Sequence, residues 1–284
     1  MNWQDLRKSG NVEDRRGMSG GGKVALGGIG TIIVVVIGLL TNQSPSEILD
    51  NIQGSQQTEQ TQTQTRPAGP RPDDKTAEFV SKVLGSTEDV WADIYKANDA
   101  QYQNPKLQIF ENSSQSACGG ASSAMGPFYC PADQKVYIDL SFCDELRDRF
   151  KAPGEFAVAY VVAHEVGHHV QNLMGISDQV QQQRQQLSDA EYNKLSVKLE
   201  LQADFLAGVW ANHAQKMDNI LEPGDLEAAL TAANAIGDDK LQKESQGYIV
   251  PDAFTHGSSQ QRMYWFKKGF ETGDISQGKF QDIR

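Results

Sequence analysis

Residues 161–175 read VVAHEVGHHVQNLMG and contain His164, Glu165 and His168. On a helix, positions four apart lie one above the other, so the two imidazoles share a face and can hold one metal ion. Glu165, one residue on, sits beside that face, where it can hold a water next to the metal and take its proton. This H-E-x-x-H pattern is that of a zinc hydrolase. Phe156, Ala157, Val158, Tyr160, Val161, Val162 and Ala163 make the approach almost wholly apolar. His164 is therefore expected in a low-dielectric interior, where a buried imidazole and carboxylate need partners and a metal satisfies both. The alternative reading is an apolar helix with incidental histidines.

Two histidines leave a catalytic zinc one protein ligand short, because such sites use three and keep the fourth position for water. The next helical stretch supplies Glu200 and Asp204 on one face, set among Leu199, Leu201, Phe205, Leu206, Val209 and Trp210. Two acids in such surroundings are costly without a cation; an exposed acidic edge is the bland alternative. The expected division of labour has Glu200 on the metal, with Asp204 orienting a ligating imidazole through its distal N–H. His169 lies off the ligand face and is expected to be packed or supporting. His213 is expected to face solvent.

With these residues in view the chain resembles the neutral zinc metallopeptidase family of bacteria, on HEVGHH, ELQADFLAGVWA and THGSSQQR. The resemblance covers nearly the whole chain and implies a gluzincin-type fold, peptidase activity, one zinc ion and a membrane tether. A wider similarity runs to the heat-shock and prenyl-protein membrane metallopeptidases, which carry a later Thr-His segment with an Arg six residues after the His. Thr255, His256 and Arg262 match that spacing, without the prolines that follow the His there. The resemblance implies that His256 donates to the tetrahedral oxyanion and that Arg262 buttresses the site. Read locally, Ser258 or Ser259 also suits a helix cap.

Around these residues the chain divides by composition. The formal net charge of −11 argues against nucleic acid as a partner. Arg7, Lys8, Arg15, Arg16 and Lys23 precede an apolar run at residues 24–40, VALGGIGTIIVVVIGLL, which sits at the lower limit for a spanning helix. The basic flank sets the N-terminus in the cytoplasm by the positive-inside rule. A cleaved signal peptide is the rival, but no small-x-small site follows the run. Residues 53–75 are rich in Gln, Thr and Pro and read as a flexible tether.

From residue 76 the sequence turns globular. Helical spacing through Phe79 to Tyr95 is interrupted at Gly85-Ser86-Thr87, where a second helix is expected to be capped. Residues 106–111 and 135–140 alternate like half-buried strands. Cys118 and Cys130, across a Gly-rich loop, suit a local disulfide if the domain lies outside the cytoplasm, leaving Cys143 as a buried thiol. Pro153-Gly154 opens the motif helix and Gly175 ends it. Ser188 with Glu191 suits a capping box for the next helix, and residues 226–236 suit an Ala-rich packing helix.

The expected fold is α+β and mainly helical, a zincin-like metallopeptidase domain with a small β-sheet, preceded by a single transmembrane helix and a disordered linker. Its expected parts are a cytoplasmic basic leader (1–23), an anchor (24–40), a linker (41–75) and an extracytoplasmic domain (76–284). The expected function is a zinc-dependent peptidase of the cell envelope acting on protein or peptide, with Glu165 as general base. The rivals are a catalytically silent, metal-stabilised envelope scaffold and a cell-wall amidase sharing the same site.

Overall fold

The computed structural model describes residues 1–17, 69, 71 and 74–284. In chain order these form strand β1 (Val12–Asp14), helix α1 (Lys75–Ala97) and strands β2 (Lys106–Phe110), β3 (Ser113–Ser116), β4 (Gly119–Ser122), β5 (Phe128–Cys130) and β6 (Lys135–Asp139). Helices α2 (Ser141–Asp148), α3 (Glu155–Leu173), α4 (Ile176–Gln183), α5 (Asp189–Asp218), α6 (Asp225–Ala235), α7 (Asp238–Gln246) and α8 (Ser259–Thr272) follow. The result is the expected α+β, mainly helical fold with a small sheet.

The larger sheet has the order β1-β2-β6-β5, with β1, β2 and β6 parallel and β5 antiparallel at one edge. Strand β2 is buried at Leu107, Gln108, Ile109 and Phe110, as a central parallel strand covered on both faces must be. Strands β3 and β4 form a separate hairpin. Helix α3 is the hub: it is buried almost continuously from Phe156 to Val170 and touches the sheet, α1, α5 and α6. A helix apolar all round belongs in such a position.

Helix α8 packs along α5 at backbone contact. A Cβ added at Gly208 would lie 2.1 Å from the Phe266 carbonyl oxygen, and one at Gly269 would lie 2.0 Å from that of Phe205. Only glycine allows this approach from both sides, and it brings the N-terminal half of α8 onto α5 beside Asp204.

Three expectations are corrected here. Residues 1–17, expected within a separate basic leader, pack into the body: β1 adds to β2, Met1, Trp3 and Leu6 are buried, and Trp3 meets Phe79 edge to face at 5.3 Å. The expected break at Gly85 is absent, since α1 runs through it. Gly85 is there for a different reason, because a Cβ at that position would sit 2.2 Å from the Arg7 carbonyl oxygen. Thr87 and Ser86, expected as caps, instead donate to the Leu84 carbonyl at 2.7 Å and accept from Trp210 Nε1 at 3.2 Å. The expected anchor at residues 24–40 and nearly all of the linker lie outside the described residues. Among the described residues no helix is long and apolar enough to cross a membrane.

Candidate active site

Helix α3 supplies His164, Glu165 and His168, and α5, opened by a capping box at Ser188 and Glu191, supplies Glu200 and Asp204. The two helices meet inside the motif itself. A Cβ at Gly167 would lie 2.9 Å from the Ala203 carbonyl oxygen and 3.1 Å from its Cα. The unspecified position before the second histidine thus lies against the α5 backbone at Ala203, one residue before Asp204. As a result His164 Nε2 stands 3.2 Å from Glu200 Oε2, and His168 Nε2 stands 3.5 Å from Glu200 Oε1. The ligand atoms of the three residues all lie within 4.8 Å of one another.

The remaining nitrogen of each imidazole is already engaged. His164 Nδ1 donates to Asp204 Oδ1 at 2.8 Å, and His168 Nδ1 donates to Gln171 Oε1 at 2.9 Å. Gln171 is itself fixed by donating to the Leu199 carbonyl at 2.7 Å and to Gln202 at 3.0 Å. Both Nε2 atoms are therefore left facing the Glu200 carboxylate, the arrangement that supports a metal-binding histidine. The electrostatics agree. Burial disfavours a charged His164, yet Asp204 and Glu200 more than offset it and raise its pKa to about 10. Burial likewise opposes a charged Glu200, which His168 and His256 nevertheless hold well below the usual carboxylate range. A pocket that so favours positive charge between two imidazoles and a carboxylate fits a zinc ion.

Asp204 is fully buried and takes four bonds: from His164, from Tyr160 Oη at 2.5 Å, and from Arg262 Nε and Nη2 at 2.8 and 3.0 Å. Burial works against its charge, but Arg262 and then His164 keep its pKa below the ordinary value. Arg262 thus buttresses the site through Asp204. Glu165 is buried next to the ligand histidines, and burial pushes its carboxyl above the usual range. That shift suits a group that must take and return a proton.

His256 is one-third exposed, with Nδ1 donating to Asp238 Oδ1 at 3.1 Å. Asp238 Oδ2 also accepts from the backbone N–H groups of Thr255, His256 and Gly257 at 2.7, 2.6 and 3.0 Å, clamping the loop. A Cβ at Gly257 would lie 3.1 Å from Leu201 Cδ2, so this loop rests on α5 next to Glu200. Burial disfavours the charged imidazole, but Glu200 and Asp238 raise its pKa above 6.5. Ser258 also forms a capping box with Gln261 at the start of α8, so the loop is the helix cap that its serines suggested.

Tyr160, Gln171 and Asp238 were not singled out from sequence. Tyr160 and Gln171 carried a signal, lying four residues before His164 and three after His168 on the ligand face. Asp238 carried none, being far from His256 along the chain. His169 is packed as expected: its Nδ1 meets Tyr129 Oη at 3.0 Å and its Nε2 the Gln103 carbonyl at 2.6 Å, tying β5 to α3. His213 is not free in solvent, since its Nε2 donates to the Gly273 carbonyl at 2.8 Å. Cys118 and Cys130 form a disulfide, and Cys143 is a free, half-buried thiol whose pKa burial raises to about 12.

The family described as "Putative neutral zinc metallopeptidase" matches residues 1–280. "Uncharacterized protein YpfJ" of Escherichia coli is 48% identical over 295 residues, covering 98% of this chain and 97% of that protein. An uncharacterized protein of Mycobacterium tuberculosis is 43% identical over 183 residues, covering 61% of each. No solved structure matches. With a match over nearly its full length, the chain belongs to the neutral zinc metallopeptidase family.

Proposed function

We propose that this protein is a zinc-dependent peptidase that hydrolyses peptide bonds of proteins or peptides in the cell envelope. The reading rests on one observation. Three protein donors, His164, His168 and Glu200, make up the metal group among the described residues, while a fourth residue, the buried acid Glu165, stands beside them outside it. A purely structural zinc is closed by four protein ligands and has no use for such an acid.

His164, His168 and Glu200 would hold the ion, which supplies a Lewis-acidic centre that acidifies water and polarises a carbonyl. Glu165 takes the proton of the attacking water and returns it to the amine leaving group, so it must be ionised at the start of each cycle. Asp204 keeps the His164 Nδ1 proton in place and so keeps Nε2 free, with Arg262 and Tyr160 holding the carboxylate still. Asp238 occupies His256 Nδ1, which leaves Nε2–H to donate to the oxyanion that forms on the scissile carbonyl. The Cys118–Cys130 disulfide supports placing the domain in an oxidising space outside the cytoplasm.

Glu165→Gln tests the assignment, because it removes the base while leaving the ligand set intact. The variant should retain zinc as the wild type does and lose hydrolysis of an unfolded protein by about 100-fold or more. Equal cleavage by both proteins would remove Glu165 from the chemistry. A zinc-loaded wild type that cleaves neither unfolded protein nor envelope peptides would leave the scaffold reading instead.

A further inference from the structure

Two described residues far apart in the chain meet beside β1: the Gly69 N–H donates to the Arg16 carbonyl at 2.8 Å, so Arg16 and Gly69 are hydrogen-bonded neighbours. Arg16 is buried there and pairs with Asp14, the last residue of β1, and with Asp74, the residue that caps α1. The N-terminal arm is built in rather than laid on. Strand β1 pairs in parallel with β2, Ser9 Oγ donates to the buried Glu88 at 2.6 Å, and Lys106 and Lys135 reach Glu13 at 3.0 and 2.9 Å. Gly85 leaves room for the Arg7 backbone.

We infer that the N-terminal arm and the catalytic body lie on the same side of any membrane the chain meets. A single crossing at residues 24–40 would put residues 1–17 and 69–284 on opposite faces, separating groups that are joined by a β-ladder and buried ion pairs. A return crossing is not available either. Residues 24–40 measure about 25 Å as a helix, against about 30 Å for one passage. Residues 41–68 are polar apart from scattered side chains such as Ile48, Leu49 and Ile52.

The basic residues that suggested the opposite orientation have another use. Arg7 pairs with Glu88 and Asp89, Arg15 with Glu13, and Arg16 with Asp14 and Asp74. Arg7 and Arg16 thus hold the arm to the body through Glu88, Asp89 and Asp74, so these two charges are already paired within the fold.

Cysteine labelling of the full-length, membrane-associated protein in intact cells tests this independently of any catalytic activity. In a Cys143→Ser background, Lys8→Cys reports the arm and Glu244→Cys the body; both positions are exposed. Gly10→Cys repeats the arm reading where an added Cβ meets nothing within 4 Å. A membrane-impermeant maleimide should label arm and body positions alike, with all of them labelled after permeabilisation. Labelling of both in intact cells places them outside together. Protection of both places them inside together, which keeps this inference and removes the oxidising compartment proposed above. Labelling of one without the other overturns it.

Discussion

Asp204 accepts a two-pronged pair from Arg262, Nε to Oδ2 at 2.8 Å and Nη2 to Oδ1 at 3.0 Å, inside a fully buried pocket. The same carboxylate holds His164 Nδ1, so the arginine on α8 is linked to the candidate metal ligand His164 on α3 through an acid on α5. Removing the guanidinium leaves a buried carboxylate short of its main counter-charge, a loss that typically costs about 3–5 kcal/mol. Arg262→Met should therefore lower stability by that order and weaken zinc binding roughly 10- to 100-fold, as loss of such supporting contacts does. Arg262→Lys keeps the charge without the fork and should fall between. Denaturant titration and chelator competition measure the two effects. An unchanged zinc affinity in Arg262→Met would dissociate Asp204 from ligand positioning.

Gly167 sets the separation of α3 and α5, with its missing Cβ facing the Ala203 backbone. Alanine is the better helix former by about 1 kcal/mol, so Gly167→Ala would stabilise α3 in isolation. In the folded protein the methyl must force the helices apart, and overpacking of this kind costs about 1–3 kcal/mol. The expected result is a less stable protein whose zinc affinity falls although every ligand is intact. A variant more stable than wild type would show that the two backbones are not in contact.

Most of the site could be read from spacing because helices repeat. His164, His168, Glu200 and Asp204 lie at intervals of four on α3 and α5, and their shared faces follow from geometry alone. What could not be read depends on which elements meet. Asp238 reaches His256 because α7 folds back onto the loop before α8. Strand β1 joins β2 from far along the chain, and its short length and mixed polarity give no periodic signal. The partners of Arg7 and Arg16 were hidden for the same reason. A basic cluster before an apolar run looks like an orientation signal until its acidic partners, Glu88, Asp89 and Asp74, are brought to it by the fold.

The Asp238–His256 pair predicts an alkaline limb in kcat/KM. His256 must be protonated to donate from Nε2 while Nδ1 is held by Asp238, and Glu200 and Asp238 raise its pKa above 6.5. Activity is then retained below that raised pKa and lost as pH rises through it. Asp238→Asn removes one of the supporting charges, so the limb should move to lower pH, with zinc content unchanged. A limb that stays in place in Asp238→Asn would exclude His256 as its source.

The arm's charge pairs give a stability signature of opposite sign. Lys135, followed by Lys106, pulls Glu13 down to about 2, against some opposition from burial. A depressed carboxyl contributes stability above its unfolded pKa and loses it as pH falls through the folded value, here between about 4.5 and 2. Hydrogen exchange at residues 12–14 should therefore accelerate selectively across that window, and Glu13→Gln should abolish the selectivity. Burial of Trp3 supplies the apolar counterpart: it is nearly covered and packs on Phe79, with Lys82 Nζ 5.2 Å from its ring centre. Trp3→Ala should cost the body about 3 kcal/mol, the lower end for a large buried side chain. If the domain melts at the same temperature with and without that ring, the arm is not part of its fold, and nothing holds arm and body to one side of a membrane.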